Sequence, residues 1–388
     1  MQSKMNRGKA IFVALGFMFT GSHAFADPIV SYSKWVEEIK FSGDLRLRHE
    51  NFDKRTAGQT DRQRQRFRLR LNTDIRLPAN FQIKMTLASG TGEQVSTNQS
   101  FDNLSSQKDI YIDKIFAIYQ PLTWLKLQGG KMENPIWRQY SSDVVWDSDF
   151  GPEGFSQGIE QLVGPFNIFV NALQMVVDED SGFNVGVSTQ GKQADQWMFA
   201  HQIGIETKLP FEKRLRFAYA NYYWHNENQG TFSQVATNEG NRRSSSVLSN
   251  NFNVDEFTGE LFGWMFNKPL SLQFTAVENR GARGNLNSKH NNGYQIGGIF
   301  GKAREKNTFE LAYFNKQVRT DATVADVADS DFGDGGTNRK GHIAWISYAP
   351  LDWMVVTIKH FDTEVIEPAL SPNRDDINRT QVDWSVKF

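Results

Sequence analysis

Arginines stand on alternate positions near the start of the chain: Arg46 and Arg48, then Arg66, Arg68, Arg70 and Arg76. A guanidinium keeps its charge at any physiological pH and holds carboxylate or phosphate through two parallel hydrogen bonds. A face carrying several of them attracts anions. A second group is acidic and falls in one stretch: Glu133, Asp143, Asp147, Asp149 and Glu153. If the stretch faces the arginines, the two sets make a transverse field that orients dipolar solutes and restricts charged ones. The competing expectation is that the arginines pair with acids on neighbouring elements and only fill the interior.

Catalytic chemistry finds little support. Gly154-Phe155-Ser156-Gln157-Gly158 matches the nucleophile-elbow spacing, but that motif needs a strand before it and a helix after it. Here a loop is expected before and a strand after. The histidines beyond the N-terminal segment are His49, His201, His225, His290, His342 and His360, and none has an evident serine partner. Neither an enzyme nor a cofactor is expected. Asp326, Asp329, Asp331 and Asp334 lie beside Gly333, Gly335 and Gly336. Clustered loop carboxylates can bind calcium, but this spacing is not that of an EF-hand, and a solvated acidic loop is the default expectation.

The elements that carry these residues alternate with a period of two. From Phe67 onward the odd positions (Phe67, Leu69, Leu71, Thr73, Ile75, Leu77) form one face and Arg66, Arg68, Arg70, Asn72, Asp74 and Arg76 the other. No soluble core would bury the second face and no lipid would accept it, whereas an aqueous lumen does. The last residues repeat the pattern, with Arg379, Gln381, Asp383, Ser385 and Lys387 opposite Thr380, Val382, Trp384, Val386 and Phe388. Reading the chain this way predicts sixteen strands, near 39–50, 63–77, 81–91, 110–120, 124–131, 157–163, 167–177, 196–208, 214–225, 256–266, 270–280, 293–303, 308–319, 339–349, 353–363 and 378–388.

Short links with Pro, Gly or Asn turn chemistry alternate with long polar ones. The long links are 51–62, 92–109, 132–156, 178–195, 226–255, 281–292, 320–338 and 364–377. The fold class expected is all-β, a transmembrane antiparallel β-barrel over residues 39–388, with short periplasmic turns and long extracellular loops. Trp124, Trp137, Trp224, Trp264, Trp353 and Trp384, with Tyr119, Tyr222 and Tyr223, sit near strand ends, where interfacial rings are favoured.

Targeting features agree. Lys4, Arg7 and Lys9 precede an apolar run from Ala10 to Thr20, and Ala24-Phe25-Ala26 fits a cleavage site, so residues 1–26 read as a secretory signal peptide. The run is too short to span a bilayer, which takes about 20 apolar residues. Residues 27–38 are expected to be a short periplasmic segment. The formal charge of −1 becomes −4 once the three leader bases are removed, which argues against a nucleic-acid-binding role. There is no cysteine, so a hydrogen-bonded barrel rather than disulfides must hold the exported chain together.

Three segments carry a family resemblance. Asp113-Lys114-Ile115-Phe116-Ala117-Ile118-Tyr119, Gly130-Lys131-Met132-Glu133-Asn134-Pro135 and Asp147-Ser148-Asp149-Phe150-Gly151-Pro152-Glu153-Gly154 resemble segments of the putative porin families related to the phosphate-selective porins. The match is clearest over roughly residues 40–165. The resemblance implies a sixteen-stranded porin, a homotrimer, in the outer membrane. It places 132–156 where general porins fold their third long loop into the channel. Its phosphate-binding residues find no counterparts here one by one, so phosphate selectivity does not carry over. The partners expected are outer-membrane lipid and lipopolysaccharide, with divalent-ion bridging at the 320–338 acids as the alternative to a solvated loop, and the barrel assembly machinery through Phe388. The function expected is passive diffusion of small hydrophilic solutes and ions, anion-preferring through the arginine face. The alternative is a closed-lumen barrel acting as a surface adhesin or structural protein.

Overall fold

The computed structural model describes residues 34–55, 60–179, 195–226, 240–244, 247–282, 290–371 and 374–388. The expected leader and most of 27–38 lie outside them. The chain divides into Met1–Trp35 and Val36–Phe388, and the second unit is the barrel.

Strands form where the alternation places them. They are β1 (Glu38–Lys54), β2 (Arg62–Leu77), β3 (Phe81–Ser89), β4 (Ile110–Leu122), β5 (Leu125–Lys131), β6 (Glu153–Val163), β7 (Phe166–Asp178), β8 (Gln196–Leu209), β9 (Lys213–His225), β10 (Asn253–Met265), β11 (Lys268–Asn279), β12 (Asn292–Gly301), β13 (Thr308–Val318), β14 (Arg339–Leu351), β15 (Met354–Val365) and β16 (Ile377–Lys387). Each pairs antiparallel with its sequence neighbours, and β1 closes the cylinder on β16 from Asp44↔Lys387 to Lys54↔Ile377. The sheet has seventeen members, because the two-residue piece Gln99–Ser100 pairs with Phe67 and Arg66 where β3 has ended. One boundary differs in a way that matters. β6 starts at Glu153 rather than 157, so the third long link is 132–152.

Tight turns set the registers at one end. Ala79–Asn80, Phe211–Glu212 and Phe266–Asn267 have both residues at φ between 52° and 62°. That is the twist of two-residue hairpin turns, which matches the right-handed twist of the flanking strands. Long loops leave from the opposite end.

The outer face is apolar, with Leu47, Leu71, Ile112, Phe217, Phe257, Leu272, Ile296, Ile346 and Trp384 exposed. Trp124, Trp264 and Trp353 are also exposed on it. Three aromatics expected there lie inside instead. Tyr222 and Trp224 are the inward-facing residues of β9 and are buried, and Trp137 lies on the 132–152 loop against Phe169. The cause is phase: Tyr222 and Tyr223 are adjacent, so only one of them can face outward.

The interior has two unlike halves. On β1, β2 and β16 the inward residues are charged, and cross-strand register sets Arg48 opposite Asp383 and Arg66, and Glu50 opposite Gln381 and Arg64. On β7 to β11 and on β13 the inward residues nearer the loops include an apolar set, Leu173, Met175, Met198, Tyr222, Val254, Val277 and Val318, with Gln196, Glu256, Asn279 and Lys316 buried among them. Two loops pack onto that apolar half from within. The 132–152 loop contributes Met132, Ile136, Val144, Val145 and Trp146, and the 319–338 loop contributes Ala322, Val324 and Val327. Full burial of side chains of this size stabilises by about 1.5–3 kcal/mol each, so both loops are held inside the cylinder rather than outside it.

Candidate functional site

The inward loops meet the charged half. Arg48 donates from Nε and Nη2 to both oxygens of Asp383 at 2.6 and 2.7 Å, and from Nη1 to Asp331 at 3.1 Å. Arg379 donates to Glu50 and Asp331, both at 2.7 Å, and to the carbonyls of Ser330, Asp331 and Gly333. Arg64 also pairs with Glu50, and Arg66 lies 3.9 Å from it. Lower on the wall, Arg68 and Arg70 share Asp44 at 2.6 and 2.8 Å and face Asp149 at 3.9 and 3.7 Å. Arg46 donates to Asn98 Oδ1 at 2.6 Å and lies 3.8 Å from Asp383. Arg76 stands apart near the turn end, paired with Glu38 at 2.8 Å.

The acids of the third loop separate. Asp149 faces the arginines. Asp143 binds Arg138 at 2.5 Å, and its carbonyl accepts from Lys316. Asp147 accepts backbone N–H bonds from Asp149 and Ser330, both at 2.8 Å. Burial, with Asp149, Asp143 and Asp329 close by, pushes Asp147 well above the usual carboxylate range. The two end residues of the stretch lie farther still from the arginines. Glu153 opens β6 and pairs with Lys131 at 2.9 Å on an exposed edge. Glu133 lines a chamber on the other side of the loop. The reason is the same strand boundary: the loop leaves and rejoins the wall at β5 and β6, and its ends are held there by pairing.

The 319–338 loop is the feature that sequence reasoning missed. It is not a solvated acidic loop, because its acids are paired with basic side chains. Asp329 pairs with Lys316 at 2.6 Å, Asp331 with Arg48 and Arg379, Asp334 with Arg339 at 2.5 Å and with Arg374, and Asp326 with Arg243 at 3.2 Å. No group that could hold a metal ion occurs among the described residues. The loop also binds its neighbours directly. Asp147 N–H donates to the Val327 carbonyl at 2.7 Å, Ser330 Oγ to that of Val95 at 3.0 Å, and Gln94 to that of Asp326 at 2.8 Å. Three loops thus interlock inside the barrel.

The nucleophile-elbow match resolves as structure. Ser156 is buried on β6 and accepts from Gln128 at 3.1 Å. Gly154 has φ +152°, and a Cβ there would lie 2.0 Å from the Gln174 carbonyl. Its spacing serves strand packing.

Space remains around the loops. A cavity of about 410 Å³ lies between the arginine wall, the two inward loops and β14–β16. A chamber of about 640 Å³ lies on the other side of the third loop, with Lys126, Glu133, Arg216 and Trp137 on it. There Arg216 is held over the rings of Trp137 and Phe169 at 4.3 and 4.4 Å. A vestibule of about 440 Å³ opens towards the loop end beside Gln94, Asp326 and Val327. Phe150 lines both the vestibule and the chamber, with its ring 5.1 Å from Trp146.

The charge balance of the wall and the adjoining loop contacts is positive. Ten cations (Arg46, Arg48, Arg64, Arg66, Arg68, Arg70, Arg138, Lys316, Lys359, Arg379) meet eight acids (Asp44, Glu50, Asp143, Asp147, Asp149, Asp329, Asp331, Asp383). The surplus is two charges, and three when Asp147 holds its proton.

A family model described as "Putative porin" matches residues 52–259 and 264–388. The chain belongs to this family. It is an outer-membrane β-barrel porin, not an enzyme. No curated protein matches it. Among solved structures, a protein from a study titled "Asymmetric conductivity of engineered proteins" has 9% identity and a TM-score of 0.48, covering 90% of this chain and 100% of that one. A triple mutant of the Rhodopseudomonas blastica porin has 9% identity and a TM-score of 0.47 over the same shares. Identity this low carries no residue's role from those porins to this one.

Proposed function

We propose that this porin passes small hydrophilic solutes and ions by passive diffusion, with a preference for anions, past a constriction made by the 132–152 loop. The observation that carries the preference is the positive surplus around Arg46, Arg48, Arg66, Arg68 and Arg70, with Asp149 the one third-loop acid within 4.0 Å of them among the described residues. A basic lining concentrates anions and slows cations. Reversal potentials across a salt gradient in planar bilayers test it, and a cation-selective channel would refute it. The tie to phosphate-selective porins rests on the Gly130–Pro135 and Asp147–Gly154 segments and lends no phosphate specificity.

The second reading is a closed barrel used at the cell surface. The interlocked 319–338 loop and the buried Glu50, Arg48 and Arg379 favour it. Liposome swelling with small sugars separates the two, since only an open barrel admits them.

The orientation proposed puts the tight turns and both chain ends in the periplasm, after removal of residues 1–26 by signal peptidase. Phe388, whose N–H donates to the Gly43 carbonyl at 3.1 Å, presents the assembly signal on the closing strand. Lipid covers the apolar face, lipopolysaccharide meets the loop end, and three copies associate.

A further inference from the structure

We infer that the cavity of about 410 Å³ between the arginine wall and β14–β16 binds a small organic carboxylate with a flat, apolar body, through Arg46 and Lys359. The inference deepens the anion-preferring reading and rests on it.

Pairing is the starting point. Asp383 is taken by Arg48, Asp331 by Arg379, Asp329 by Lys316 and Asp143 by Arg138, while Asp149 lies between Arg68 and Arg70. Asp147, the remaining acid on the cavity, accepts two backbone N–H bonds. Two cations are left over. Among the described residues Lys359 forms no ion pair within 4.0 Å, and its Nζ lies 5.1 Å from the Trp345 ring centre and 4.8 Å from that of Phe361. Arg46 spends Nη2 on Asn98, reaches Asp383 only at 3.8 Å, and has a buried Nε without a partner. A buried donor left unmade is costly, and a carboxylate fits the guanidinium edge with charge-assisted bonds.

The rest of the lining selects among anions. Tyr140 offers an exposed aromatic ring, Trp345 is covered by Phe314 stacked on its ring and by the Lys359 ammonium over it, and the Ser347 and Thr357 hydroxyls bond each other at 2.8 Å. The volume lies within the range of small-molecule sites, about 300–1,000 Å³. A bare inorganic anion would leave the Tyr140 ring uncovered. An aromatic acid would stack there while its carboxylate joins the two cations.

The test uses the full-length porin in detergent, with benzoate, acetate and inorganic phosphate titrated separately by calorimetry. Benzoate is expected to bind at least tenfold more tightly than acetate or phosphate. Lys359→Gln is expected to weaken it tenfold or more, the loss of one charge-assisted contact, and Lys359→Arg to restore it. Lys359 belongs to no ion pair within 4.0 Å among the described residues, so its replacement is expected to spare the fold, and unchanged resistance to heat unfolding in detergent is the control. Benzoate binding no tighter than acetate, phosphate binding as well as benzoate, or an unaltered Lys359→Gln would each overturn the inference. Planar-bilayer current is read on the same preparations. A porin that binds benzoate but carries no current would refute the channel reading and leave the site standing. A conducting porin without benzoate binding would do the reverse.

Discussion

Replacing Arg66, Arg68 and Arg70 together by alanine removes three positive charges from a wall whose surplus is two, or three with Asp147 protonated. The wall then carries between zero and one net negative charge, with Asp44 and Asp149 stripped of their partners. A unit charge acting on a monovalent ion about 6 Å away in a water-like medium is worth about 0.7 kcal/mol. That changes the local ion concentration roughly threefold, in opposite senses for anion and cation. The effect of three charges is thus ample to abolish the preference. The assay is the reversal potential under a tenfold potassium chloride gradient, held at low ionic strength so that screening does not hide the wall. Wild type is expected on the anion side, the triple alanine variant at or beyond zero, and a triple lysine variant near wild type. An unmoved reversal potential in the alanine variant would place the selectivity elsewhere and refute the wall as its source.

Other consequences follow from the loops. Arg379→Met leaves the buried Glu50 and the half-buried Asp331 with Arg48 as their one shared guanidinium; the 319–338 loop should become cleavable by protease in detergent, where wild type is expected to resist. Phe150→Ala should raise single-channel conductance, and Phe150→Trp lower it, because this ring lies between the vestibule and the chamber. Burial lifts Asp326 to about 6 despite Arg243 beside it, so acidifying from pH 7 to 5 neutralises one acid of the vestibule and should strengthen anion preference in the same reversal-potential assay. For stability, that raised carboxyl favours the seated loop at low pH and loses its contribution as pH rises through about 6. Burial would raise Asp331 and Asp334 too, but Arg379 and Arg48, and Arg374 and Arg339, outweigh it and hold them low. Their contribution persists until the pH falls below the usual carboxylate range, about 4. Protease resistance of the loop should therefore peak between about pH 4 and 6.

The barrel itself was legible because period-two alternation is local: Arg66, Arg68 and Arg70 reveal their face without knowledge of any partner. The closing register was legible for the same reason, since Arg379, Asp383 and Lys387 share one phase and meet Phe52, Arg48 and Asp44 of β1. The dry half of the lumen was not. On β7 the inward Leu173 and Met175 alternate with the outward Ala172, Gln174 and Val176, so apolar residues stand on both faces and alternation does not say which one a loop will cover.

That ambiguity explains why the 319–338 loop read as solvated. Its acids and glycines are those of a surface turn, and every partner that contradicts that reading is remote in sequence or on another strand: Arg48 on β1, Arg379 on β16, Lys316 on β13. A carboxylate moved from water into a barrel without these cations would lose far more than it gains. The apolar seat for Val324 and Val327 therefore works only if the arginine wall stands opposite it. The two halves of the interior specify one another, and the surplus cations needed to seat acidic loops are the same ones that would draw anions into whatever channel the loops leave open.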